Sequence, residues 1–287
     1  MGNKTRTKSK HKTDQEPRID SEIEVSELYN KSIRLEFKPS THRYKIFEDG
    51  QLVKPKPPSV TTITSLADFG KSAALQSWAV RMCLEVCRQR ILPDQIHGSK
   101  FLEEAFRDAA ANYRNVRDKA ADVGTLAHGA LERYFTEPDA APPLAGTPIR
   151  ARYDEALNWF KQYVIEPIGS EVKVYSKKHK YCGILDNIAR VNGVVSLIDY
   201  KAAKTIRKPY EMQVAGYIGA YEEEHPEIRV EQAWILQIGE DRTIPYRYGR
   251  DKIKESYEAF LCLRKLYEWE RTSGKIVPEE EDWIEAL

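Results

Sequence analysis

The chain has 287 residues, 41% hydrophobic and 31% charged, with 45 basic against 44 acidic side chains and a formal charge of +1. That length buries a core without disulfide staples, the composition is that of a soluble globular protein, and no apolar run reaches the roughly 20 residues of a membrane-spanning helix. With so little net charge, a polyanionic partner has to be met by a local patch.

Lys4, Arg6, Lys8, Lys10 and Lys12 stand among Thr, Ser, Asn and Gln, so residues 1–18 are expected to form a disordered basic tail. The remainder, 19–287, is expected to be one α/β domain: a β/helical part over 35–122, a core over 123–250, and a C-terminal helix with an acidic tail over 251–287. Four cysteines without CxxC spacing, and no signal-peptide pattern, predict free thiols packed as small hydrophobes in a cytoplasmic protein.

The alternating runs IRLEF and HRYKIF, with an Asp49-Gly50 step, predict a small hairpin-built sheet over 33–53. Leu75, Trp78, Ala79, Met82 and Val86 mark an amphipathic helix over 73–92, and Ser99 is expected to cap another reaching about Asp122. Gly124 interrupts that pattern, and a short helix over 125–135 carries His128. A helix over 151–165 places Tyr153, Leu157, Phe160 and Val164 on its apolar stripe, and Pro167 ends it. Strands follow over 171–176, 182–191 and 194–200, then a helix over 209–224, strands over 230–238 and 243–248, and a last helix over 251–271.

The chemistry gathers around Asn192-Gly193, the strongest hairpin signal in the chain. Counting outward from this turn sets Asp186 opposite Asp199, and alternation puts Ile184, Asp186 and Ile188 on one face with Leu197, Asp199 and Lys201. Opposed like charges destabilise a sheet and buried carboxylates resist ionisation, so the pair requires a cation. Lys201 supplies one positive charge, and paired carboxylates also suit Mg²⁺ or Mn²⁺. A surface Asp–Lys–Asp salt-bridge cluster is the plainer alternative.

The segments Gly183-Ile184-Leu185-Asp186 and Ile198-Asp199-Tyr200-Lys201 resemble the motifs of the PD-(D/E)XK nuclease superfamily. With Gly124-Thr125-Leu126-Ala127-His128 upstream and Gln213-Val214-Ala215-Gly216-Tyr217 downstream, the order resembles the RecB-type branch. His42-Arg43-Tyr44, Pro58 to Ile63 and Leu75 to Ala79 further resemble phage-type members related to the mitochondrial genome maintenance exonuclease, so the likeness spans about residues 35–250.

The resemblance implies a three-layer, restriction-endonuclease-like core, with a mixed central sheet flanked by helices and an N-terminal β/helical extension. It implies that Asp186, Asp199 and His128 ligate Mg²⁺ or Mn²⁺, that Lys201 serves the attacking water or the charge developing at phosphorus, and that Gln213 and Tyr217 orient the site. Ala202 departs from the family, where Thr often follows the lysine. The implied activity is that of a deoxyribonuclease, an exonuclease acting on ends or single strands in recombination, replication or phage DNA processing. DNA and a helicase or single-strand annealing protein would be its partners. A catalytically silent DNA-binding component is the alternative. Some relatives carry an iron–sulfur cluster; here only Cys262 lies near the end of the chain, so none is expected. Glu132 and Glu171 are candidate helpers, the first behind His128 and the second level with Asp186. Lys177, Lys178, His179, Lys180, Lys204, Arg207 and Lys208 are candidate phosphate contacts, with Tyr181 and Tyr210 available for stacking.

Overall fold

The computed structural model describes residues 23–68, 71–137 and 139–272; the predicted basic and acidic tails lie outside them. Two compact units emerge, Met1–Val53 and Lys54–Leu287, so a boundary falls within the span 19–287. The first unit is a four-stranded antiparallel meander of β1 (Glu24–Leu28), β2 (Ile33–Lys38), β3 (Arg43–Glu48) and β4 (Gln51–Leu52). Alternation buries Ile33, Leu35, Phe37, Tyr44 and Ile46. Asp49 and Gly50, with φ of 47° and 80°, make the predicted turn.

The second unit centres on a mixed sheet in the order β5-β6-β7-β8-β9: β5 (Ile165–Ser176), β6 (Tyr181–Val191), β7 (Val194–Lys201), β8 (Gln232–Ile238) and β9 (Thr243–Gly249). Only β7 and β8 run parallel, and the crossover between them is α5 (Lys208–Glu224). On one face, Val174, Leu185, Ile188, Leu197 and Ile235 pack beneath α1 (Val60–Thr64), α5 and α6 (Arg250–Thr272). On the other, Ile198, Tyr200, Trp234 and Leu236 pack beneath α3 (Ser99–Thr136) and α4 (Pro148–Phe160). Helices therefore cover both faces, and α2 (Lys71–Arg90) packs on α3. The α/β class holds. No helix among the described residues is long and apolar enough to cross a membrane.

Four local expectations are corrected. Gly124 does not divide the helix: α3 runs unbroken for 38 residues, because a lone glycine costs an otherwise sound helix only about 1 kcal/mol. Gly98, not Ser99, is its N-cap. The helix expected over 151–165 ends at Phe160, leaving Val164 exposed, and Pro167 lies within β5. An edge strand tolerates proline, and the ladder shifts register beside it between Pro167 and Gly169. Of the cysteines only Cys182 is buried, where desolvation pushes its thiol up to about 12; Cys262 is exposed.

Phe260 on α6 is fully buried against Gly216 of α5, where an added Cβ would meet its ring at 2.9 Å. Phe260→Ala is expected to lower the unfolding free energy by about 3–5 kcal/mol in urea titration. Leu266→Ala, on the exposed side of the same helix, is expected to change it by less than about 0.5 kcal/mol.

Candidate functional site

The Asn192-Gly193 turn forms as expected, with φ of 49° and 81°, and β6 pairs with β7 from Val191↔Val194 to Asn187↔Ile198. The ladder is in the predicted register but stops one pair short of the aspartates, which end the ribbon in a fork rather than in a closed pair. Two carboxylates directly opposed across a ladder repel, which accounts for the opening. Tyr200 lines the fork with its backbone: its amide donates to Asp186 Oδ2 at 2.7 Å, and its carbonyl accepts from His128 Nε2 at 2.7 Å. Leu185 and Ile188, three apart, both enter the core under α5 and α6. Alternation therefore breaks at Asp186–Asn187, and Ile184 does not share the face of Ile188.

His128 reaches the fork because α3 crosses the end of β7 closely. A Cβ on Gly124 would stand 3.3 Å from Ala202 Cβ, so the glycine admits the crossing one turn before the histidine. The same crossing crowds position 202. His128 Nε2 donates to the Tyr200 carbonyl, and its Nδ1 stands 3.7 Å from Asp186 Oδ2.

Asp199 is fully buried, and its Oδ1 has no hydrogen-bond partner. Lys201 Nζ stands 2.5 Å from Oδ2 as a close ion pair. Burial dominates and pushes Asp199 up to about 6; Asp186 adds to the rise, and Lys201 opposes it. For Lys201, burial works against the ammonium, but Asp199 and Asp186 outweigh it and lift its pKa. Its cation also stands 5.4 Å from the ring centre of Tyr210, whose ring is shared with Arg207 at 5.6 Å. Arg207 in turn pairs with Asp68.

Other expectations fall out unevenly. Ser170↔Asn187 and Val172↔Leu185 bracket Glu171 opposite Asp186, as expected, with a φ of 49° that is unusual for glutamate. Gln213 Nε2 donates to Tyr217 Oη at 3.1 Å, and Tyr217 lies on Gly183, where a Cβ would come within 2.6 Å of its ring. Those two residues brace the strand leading to Asp186. Tyr181 is no stacking platform: it is buried and donates to Gly216 O at 2.9 Å. Tyr210 is engaged by cations, Arg207 by Asp68, and Lys208 by Glu211 at 3.2 Å. Asn187, fully buried with neither amide atom hydrogen-bonded, was not anticipated, since a lone strand asparagine carries no pattern.

The candidate donors are two carboxylates and an imidazole nitrogen, a set that suits Mg²⁺ or Mn²⁺. A fully buried carboxylate whose Oδ1 has no partner fits such an ion. Among the described residues, however, no three His, Cys, Asp or Glu side chains converge tightly enough to enclose one. Asp199 is drawn to Lys201, while His128 and Asp186 face each other.

No family model matches this chain, and no curated protein matches it. Among solved structures, a chain described as "Crystal structure of SSO0001" is 17% identical over 80% of this chain and 89% of its own, with a TM-score of 0.29. That likeness is too slight to bear on fold or function.

An acid whose folded pKa exceeds its unfolded value binds protons more tightly when folded, so its contribution to stability falls as pH rises between the two. For Asp199 that window runs from 3.8 to about 6. Urea midpoints taken in chelator from pH 4 to 7 are expected to show the loss, on the order of 2–3 kcal/mol. Asp199→Asn is expected to flatten that part of the profile.

Proposed function

We propose that the chain is a divalent-metal-dependent nuclease hydrolysing DNA phosphodiester bonds, its second unit a three-layer, restriction-endonuclease-like core. The observation that carries this reading is the buried Asp199–Lys201 pair beside Asp186 at the mouth of an opened β-ribbon, with His128 delivered from the opposite layer. The resemblance in motif order supports it independently of that geometry. Exonuclease action on ends or single strands, with a helicase or annealing protein as partner, belongs to the same reading.

Asp186, Asp199 and His128 would hold Mg²⁺ or Mn²⁺, which when bound polarises a phosphoryl oxygen and makes water a better nucleophile. Each residue of the chain has a separable task. Asp186 is oriented by the Tyr200 amide, and the Tyr200 carbonyl sets the tautomer of His128 so that Nδ1 faces the ligand position. Lys201, kept charged by its carboxylate neighbours, places fixed positive charge where the phosphorus gains negative charge. Tyr210 holds that ammonium from the α5 side.

A second reading, a silent DNA-binding component, draws on the separation of Asp199 from the His128–Asp186 pair. One assay decides between them: labelled linear, circular and single-stranded DNA with Mg²⁺ or Mn²⁺. Lys201→Ala and Asp199→Asn are each expected to slow cleavage by roughly 10²–10³-fold or more, and chelator to abolish it. Linear and single-stranded DNA are expected to be cut in preference to circles. Equal cleavage by wild type and both variants would end the catalytic reading.

A further inference from the structure

Immediately beyond the cluster, at the carboxyl ends of the parallel strands β7 and β8, lies an open groove of about 320 Å³. Ligands of open α/β sheets collect at this end of parallel strands. One wall is Ala202 and Ala203, which directly follow Lys201; the facing wall is the β8–β9 turn, with Gly239 and Arg242. Gln237 stands opposite Lys201 in the parallel ladder and donates to Ala203 O at 2.9 Å, so the groove and the lysine share one rigid frame.

The lining indicates which part of a ligand fits. It contains no aromatic side chain on which a base would stack, and its small residues leave room for a backbone. Three cations line it: Lys204, Arg242 and Arg152 from α4. Arg152 is held at 3.1 Å by Glu240, and its buried Nε has no hydrogen-bond partner. Asp241 and Glu240 also line the groove, so its charge is modestly positive.

We propose that this groove binds the phosphodiester backbone of the substrate strand next to the bond being cut, through Arg152, Lys204 and Arg242. The assignment rests on the nuclease reading and deepens it: phosphates are gripped without reading bases, and the strand leaves the cluster past Ala202.

The test uses the full chain and two probes: a labelled 20-nucleotide single strand, and the p-nitrophenyl ester of thymidine 5′-phosphate, too short to fill the groove. Lys204 and Arg242 are exposed, so the double variant Lys204→Ala/Arg242→Ala is expected to fold normally. Its dissociation constant for the oligonucleotide, measured by anisotropy with Ca²⁺, is expected to rise roughly 10-fold, and the salt slope to flatten by about 2. KM for the oligonucleotide is expected to rise with kcat and ester turnover unchanged. Arg152→Ala is expected to behave alike, with partial rescue by Arg152→Lys. Unchanged oligonucleotide affinity and salt slope, with wild type still cleaving, would overturn the groove and leave the nuclease reading intact. Ester and oligonucleotide turnover lost in step would make these residues supports of the fold and overturn it too. A wild type that neither binds nor cuts either probe would overturn both.

Discussion

Two carboxylates brought level on a β-ribbon repel each other, and at this site the repulsion is answered by opening the ladder and by placing a lysine within 2.5 Å of the buried partner. The rest of the cluster depends on that choice. Once pairing stops at Asn187↔Ile198, the Tyr200 amide and carbonyl become free to bind side chains, and they take up Asp186 and His128. A closed ribbon would have neither the gap nor the backbone groups that line it. The cost is a buried carboxylate whose Oδ1 is left without a partner and whose charge leans on the lysine beside it.

The layers on either side serve this opening. The α5 layer supplies Tyr210 against Lys201, and Tyr217 against Gly183; the α3 layer supplies His128. The parallel β7–β8 pair sets Lys201 beside Gln237, whose amide steers the chain past Ala203. Four elements that are remote in sequence therefore meet at the end of one strand.

Much of this was legible because its signals are local. Asn192-Gly193 dictates a turn type and the turn dictates the β6–β7 register that brings Asp186 and Asp199 level, while the turn over 177–180 separately sets Glu171 near the level of Asp186. The strands and helices of 171–271 likewise follow from periodicity over short windows. What escaped depends on partners distant in sequence. β1, with only Val25 and Leu28 among polar neighbours, has too little apolar pattern to announce an edge strand. Gly124 reads as a break until Ala202 is seen across from it. Tyr210 and Arg207 look free for nucleic acid until Lys201 and Asp68 are found to occupy them. The stopping of the ladder was hidden as well, since a residue count extends pairing indefinitely and knows nothing of charge.

The crossing of Gly124 over Ala202 leaves room for about one methyl group between helix and strand. Positions 124 and 202 thus draw on a shared allotment of volume, though 78 residues separate them in the chain. Exchanging them, alanine on the helix and glycine on the strand, would conserve that volume, whereas a methyl added at 124 alone would oblige helix or strand to give by a few tenths of an ångström. Size at two distant positions thus sets how closely the helix that carries the histidine approaches the end of the strand.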